Sequence, residues 1–294
     1  MKHWTFSDYS LCVSTNRVLL QRIFYSLALF SLGLNFRYHI LISQIGPNPL
    51  LNQDVDPVYL MFMALGIPQF ISGWPAPYFD TLLILSCTAS IFRTRQRVFP
   101  VLFLILYFIY FIVYNMLSGH HYIHIGVMIM AFPFIFSKAS RFVTAFSLCR
   151  FILCFMMFSA ACWKIIRGNL WHVDQTNMLL ITTYLENLVT NNNSVRINIV
   201  KWLVHHKYAA HSIWISLIAI EGVFILGFLG LKWDKLLLTA YLLFFVGGWF
   251  IFENYIFDNL FFLLTLTPVL KIISRLNQFR FREMPDNSKP ATTS

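Results

Sequence analysis

Long uninterrupted apolar runs dominate the chain: Val18–Phe36, Phe79–Phe92, Val98–Leu117, Tyr122–Phe136, Phe142–Ile166, Ser212–Leu231, Leu236–Phe252 and Ile256–Ile273. A hydrocarbon core about 30 Å thick takes about 20 apolar residues of helix, so runs of this kind predict transmembrane helices. Phe79–Phe92 and Tyr122–Phe136 are short, which puts the expected count at seven or eight spans. The runs are continuous and do not alternate with period two, which argues against a barrel. The expected fold is an all-α, polytopic transmembrane helical bundle.

Two segments between the runs should not cross. Ser43–Tyr78 carries Pro47, Pro49, Pro57, Pro68, Pro75 and Pro77, and its apolar stretch Val58–Ile71 is too short to span. It predicts a re-entrant or interfacial helix on the extracytoplasmic face. Arg167–Ala210 contains the polar turn Asn191-Asn192-Asn193-Ser194, with a formal glycosylation sequon at Asn192, and the amphipathic stretch Ile197–Tyr208. That stretch is expected to lie along the membrane surface with Trp202 as its anchor. The opening run is too long for a signal-peptide core and lacks a small-x-small cleavage site, so it is expected to remain as the first span. Residues 1–276 then form one transmembrane domain, and the polar stretch Asn277–Ser294, with Pro285 and Pro290, reads as a disordered cytoplasmic tail.

Composition agrees with the pattern. Of 294 residues, 58% are hydrophobic and 12% charged, against about 45–50% and about 25% in soluble domains. Too little polar surface remains to coat a water-soluble globule, so the chain is read as an integral membrane protein with membrane lipid as its first partner. A net charge of +10 would suggest nucleic acid in a soluble chain. Here it is read as Lys and Arg gathered in cytoplasmic loops, with no nucleic-acid partner. Arg93, Arg95, Arg97, Lys138, Arg141, Lys232, Lys235, Lys271, Arg275, Arg280 and Arg282 all fall on one side if spans alternate. Placing them inside makes both termini cytoplasmic, in a bacterial inner membrane or a eukaryotic endomembrane alike.

Ionisable groups in or near spans are costly and therefore informative. His120, His121 and His124 lie at the outer turn between the third and fourth runs, Lys164 at the outer end of the fifth, and Glu253 and Asp258 between the last two. Titratable groups thus share one depth. Lys164 admits two readings: an ammonium snorkelling to the headgroups, or an amine desolvated inside the bundle and able to act as a base. His120 and His124, four apart, suit one helix face, but no third or fourth ligand accompanies them, so no metal is expected. Glu221 stands in mid-run and needs a partner such as Arg150 or Arg22, or protonation. The five cysteines form no CxxC pair, and nucleotide-binding and nucleophile-elbow motifs are absent.

Two short patterns resemble the membrane part of vitamin K-dependent γ-carboxylases and their bacterial HTTM relatives. One is Ala160-Ala161-Cys162-Trp163-Lys164-Ile165 followed by Trp171; the other is His120-His121-Tyr122-Ile123. Glu221, the Arg93–Arg97 turn and the closing Asn259-Leu260-Phe261-Phe262-Leu263 agree more loosely, and the likeness in hydropathy and order covers most of Val18–Ile273. The resemblance implies an HTTM-like domain in which Lys164 is the base that deprotonates a hydroquinone and His120 its polar neighbour. His121, His124, Trp163, Trp171, Glu221 and Glu253 would support the pocket, and a quinone or hydroquinone would be the cofactor. The activity implied is that of a quinone-dependent, carboxylase-like lyase or oxidoreductase. Departures are Ala161 where the family has glycine, a longer spacing to Trp171, and no histidine near Phe252-Glu253. With no large region after Ser294, the expectation narrows to the lipid-facing half, a pocket for a quinone or isoprenoid lipid. Two other readings stay open: a transporter or permease coupled through Glu221 and Arg150, and a non-catalytic subunit docking a membrane or extracytoplasmic protein through Arg167–Ala210.

Overall fold

The computed structural model describes residues 5–45, 57–118, 125–190, 194–252 and 257–282. Over these the secondary structure is helical: α1 Phe6–Thr15, α2 Arg17–Arg37, α3 Ile42–Ile45, α4 Pro57–Ala64, α5 Ile67–Ser72, α6 Ala76–Phe92, α7 Val98–Ser118, α8 Ile125–Ala131, α9 Ala139–Ile166, α10 Val173–Val189, α11 Val195–His205, α12 Lys207–Gly222, α13 Asp234–Phe252 and α14 Thr267–Arg282. Among the described residues, four segments are long and apolar enough to cross a membrane: Arg17–Ile45, Ala139–Ile166, Lys207–Leu229 and Leu231–Ile251. Ala76–Phe92, Val98–Tyr114 and Ile125–Ile135 are apolar but shorter.

Among the described residues the expected seven or eight spans are thus met by four, and in two of the remaining runs local chemistry interrupts the helix. Pro133 turns the end of α8 into a 3-10 segment, Phe132–Ile135, because proline cannot donate the next helical hydrogen bond. The run Ile256–Ile273 is a 3-10 helix, Phe257–Thr265, followed by α14, which restarts with Pro268 in its first turn. Helix continues to Arg282, into the stretch read from sequence as tail. Val58–Ile71 is split into α4 and α5 at Gly66, whose φ of +64° is a left-handed turn that glycine takes without steric cost. Many large apolar side chains on the long helices stay exposed, Phe151 and Phe155 on α9 and Leu243 and Val246 on α13 among them. Their natural solvent is lipid.

The chain forms two compact units, one over Trp4–Phe146 with Leu263–Ser294 and one over Ser147–Phe262, the division falling within α9. In the first, Thr5 and Asp8 cap α1 reciprocally, Asp8 N–H donating to Thr5 Oγ1 at 3.2 Å and Thr5 N–H to Asp8 Oδ2 at 2.9 Å. Leu20, Phe24, Ala28 and Leu32 recur every fourth residue on α2 and are buried, giving the stripe that packs on α6, which in turn packs on α7. Arg97, in the turn after α6, donates to Gln21 Oε1 at 3.1 Å and to the Phe134 carbonyl at 3.2 Å, and Gln21 donates to the Ser90 carbonyl at 3.0 Å.

In the second unit α10 packs on α11 and α12, and α12 on α13. One face of the stretch expected to lie along the membrane surface contributes to a core: Ile197, Val200 and Leu203 of α11 are buried with Leu180, Tyr184 and Ala210. Trp202 remains 53% exposed, stacked on His206 at 4.6 Å between ring centroids. Arg196 donates to the Trp249 and Phe250 carbonyls at 2.9 and 2.8 Å, closing the end of α13.

Arg150 does not pair with Glu221. Its Nε and Nη2 donate to Asp234 Oδ1 at 3.0 and 2.5 Å, Nη1 to the Gly227 carbonyl at 3.0 Å and Nη2 to the Gly230 carbonyl at 3.3 Å. Gly227 lies so close to α9 that a Cβ there would meet Cys154 Sγ at 2.3 Å. One guanidinium thus neutralises a buried carboxylate and satisfies the Gly227 carbonyl of the 3-10 segment Val223–Leu229 and that of Gly230 just beyond it, where regular helical bonds lapse. Removing one partner leaves an uncompensated buried charge, so Asp234→Leu or Arg150→Met should lower stability by about 3–5 kcal/mol. Exposed Lys232→Ala should stay within about 0.5 kcal/mol, with unfolding of the purified protein in detergent as the readout.

Candidate functional site

Lys164 sits in the last turn of α9. A helical side chain points back toward the N-terminus of its helix, so this amine is directed along α9 into the unit. There it donates to Glu221 Oε1 on α12. Glu221 is 2% exposed and Lys164 23%. The ammonium also lies 5.2 Å from the centroid of the Trp214 ring and 5.8 Å from that of Phe244, within the range of cation–π attraction. Trp214 is on the face of α12 that carries Glu221, two turns earlier, and Phe244 comes from α13. A carboxylate and two aromatic faces from neighbouring helices thus hold the amine.

Glu221 accepts from Lys164 through one oxygen. The other, Oε2, is buried and has no hydrogen-bond partner among the described residues. A buried acceptor left unmade costs about 1–3 kcal/mol, so this oxygen suits a further donor. Chemically, the pair can exist as ammonium with carboxylate or, after proton transfer, as amine with carboxylic acid.

Other residues singled out in the sequence are placed differently. Trp163 is 55% exposed with the Arg167 guanidinium 4.4 Å over its ring, and Trp171 is 76% exposed; neither is among the rings found over the amine. His120, His121, His124 and Glu253 lie outside the described residues. Among the described residues, no group of three or more His, Cys, Asp or Glu side chains could hold a metal ion. All five cysteines are free thiols.

Sequence reasoning missed Trp214, Phe244 and Asp234. The spacing of seven between Trp214 and Glu221 could have indicated the first, since residues two turns apart share a helix face. Nothing local marked Phe244, one of 31 phenylalanines. Asp234 looked like a loop residue between Lys232 and Lys235, yet it is buried.

No family model, no curated protein and no solved structure matches this chain.

The pair should be energetically coupled. Lys164→Met and Glu221→Leu are each expected to destabilise. The double variant should lose less than the sum, by a coupling of about 1–3 kcal/mol measured as a double-mutant cycle of unfolding in detergent. Strict additivity would mean that the two side chains do not interact in the folded protein.

Proposed function

We propose that this chain is an HTTM-like integral membrane protein, similar in design to the membrane part of the vitamin K-dependent γ-carboxylases, with a quinone or related isoprenoid lipid as the ligand of the Lys164–Glu221 centre. The observation that carries the reading is the position of the Lys164 amine, turned inward onto Glu221 between Trp214 and Phe244. Two aromatic faces suit a flat ring, and the buried Glu221 Oε2 suits a hydroxyl donor. Residues and ligand class therefore fit.

Bound there, a hydroquinone would supply an acidic hydroxyl and the electrons for oxidation by oxygen. The protein's part is proton handling. Glu221 takes the ammonium proton, which leaves the Lys164 Nζ neutral and able to accept another; both forms of the pair avoid an isolated buried charge. Trp214 and Phe244 present apolar surface beside the amine, and the lower local dielectric strengthens each electrostatic contact. The activity class is a carboxylase-like lyase or an oxidoreductase with Lys164 as base. The distribution of Lys and Arg supports cytoplasmic termini, which puts this centre nearer the opposite face.

The transporter reading required a Glu221–Arg150 couple, and Arg150 is bound to Asp234 instead. The docking-subunit reading has one observation in its favour: Met178, Leu185, Val189 and Val195 on α10 and α11 are 55–76% exposed.

Mass spectrometry of lipid extracted from the purified protein tests the proposal. An isoprenoid quinone should be enriched over its share of the host membrane, and Lys164→Met should abolish turnover of the added hydroquinone while the protein still inserts. Ordinary phospholipid alone, with Lys164→Met silent, would contradict it. Under the docking reading, Lys164→Met is silent and Val189→Asp disrupts a co-purifying partner.

A further inference from the structure

The unit over Ser147–Phe262 carries a second group of buried polar atoms, away from the ion pair. His211 is 7% exposed, Asn169 6% and Thr176 2%. His211 Nδ1, Asn169 Oδ1, Thr176 Oγ1 and Asn177 Oδ1 are each buried with no hydrogen-bond partner among the described residues. They come from the turn after α9, the start of α10 and the start of α12; α10 packs on α12, and His211 of α12 reaches the turn after α9 at Leu170. His211 Nε2 lies 3.0 Å from the Leu170 carbonyl, and Lys207 Nζ lies 3.1 Å from Asp174 Oδ1.

Their chemistry is one-sided. A carbonyl only accepts, so His211 must donate through Nε2, and in the neutral ring Nδ1 is then an acceptor. Asn169 Oδ1 and Asn177 Oδ1 are acceptors as well. Thr81, Thr88, Thr144, Thr182 and Thr239 each return their hydroxyl to the carbonyl one turn back, whereas the buried Thr176 hydroxyl has no partner among the described residues. Several buried acceptors in an apolar helical unit, each costing about 1–3 kcal/mol if left unmade, call for a small guest rich in donors. Water is the guest that fits polar sites lined by two to four such groups.

The group also has a direction. His211, Trp214 and Glu221 share one face of α12 with Lys207. At one end Asp174 and Lys207 are exposed, their side chains 77% and 46% accessible. At the other lies Glu221 with its own unpartnered oxygen, ten residues and therefore about 15 Å below His211 at about 1.5 Å per residue. Asn169 ties the same turn to the site from the α9 side, its N–H donating to the Lys164 carbonyl at 3.0 Å.

We propose that His211, Asn169, Thr176 and Asn177 line a narrow water-filled shaft that opens beside Asp174 and Lys207 and leads along α12 to the Lys164–Glu221 pair. About five waters hydrogen-bonded at about 2.8 Å span the distance from His211 to Glu221. The shaft carries the proton that the pair must exchange with the aqueous phase in each cycle; that role rests on the proton-handling function proposed above, while the presence of water does not.

Water-edited solid-state NMR on the full chain in lipid bilayers tests the shaft without any ligand. The Thr176 signal is assigned by its loss in Thr176→Val, and that of His211 by its loss in His211→Phe. Polarisation from water should reach both residues at least about threefold faster than it reaches Leu180, the buried apolar neighbour on α10. Build-up as slow as that of Leu180 would overturn the shaft. Hydroquinone turnover then tests its purpose: Thr176→Val should slow turnover severalfold without lowering the amount of quinone retained. Wet Thr176 and His211 with unchanged turnover in Thr176→Val would overturn proton supply while leaving Lys164 as base. Loss of quinone dependence in the unsubstituted protein would instead overturn the base reading and leave the water-filled shaft standing.

Discussion

A charge inside an apolar helical bundle has few stable arrangements: it reaches an interface, finds an opposite charge, or is neutralised. Lys164 and Glu221 adopt the second, and much of the unit over Ser147–Phe262 is arranged accordingly. Glu221, in the segment Lys207–Leu229, is met by a cation from another helix. α9 supplies that cation from its last turn, because helical side chains lean toward the N-terminus. The same rule governs Arg150 and Asp234, where the guanidinium has the further task of meeting carbonyls in and just beyond a 3-10 segment. Two ion pairs thus bind α9 to the elements that follow it, one to α12 and one to the start of α13. Only the first leaves a buried acceptor without a partner among the described residues.

On the proposed function, that difference separates a structural pair from a chemical one. Asp234 accepts twice from Arg150, whose remaining donors are taken up by glycine carbonyls, an arrangement with little reason to exchange a proton. Glu221 meets a lysine, whose ammonium can surrender a proton where guanidinium cannot. A carboxylate beside an amine, walled by Trp214 and Phe244, can hold one proton in either of two places. Within a low-dielectric bundle such a centre is suited to accept a proton from a weakly acidic hydroxyl.

Much of the architecture was legible as hydropathy. The limits of α2, α9 and α13 agree closely with the apolar runs Val18–Phe36, Phe142–Ile166 and Leu236–Phe252. What escaped was local backbone chemistry: Pro133, Pro268 and Gly66 break apolar stretches that a count of hydrophobic residues reads as continuous. In Arg167–Ala210 the amphipathic stretch was legible but not what its apolar face would meet: every third or fourth position of α11 enters a core with α10 and α12. For the site, Lys164 and Glu221 could each be singled out as costly residues, but their pairing could not. Arg150 and Arg22 were equally eligible partners for Glu221 until the helices were placed. Asp234 was hidden by the lysines flanking it.

The account stands on the Lys164 amine being inside the bundle and bound to Glu221. Rotational-echo double-resonance NMR, on chain labelled with 15N at lysine Nζ and 13C at glutamate Cδ, measures this directly in a bilayer. The prediction is a dipolar contact corresponding to a separation of about 4 Å or less, lost in Glu221→Gln as the ammonium–carboxylate resonance shifts. A Lys164 signal with no glutamate contact, exchanging with bulk water like the exposed lysines, would contradict the account.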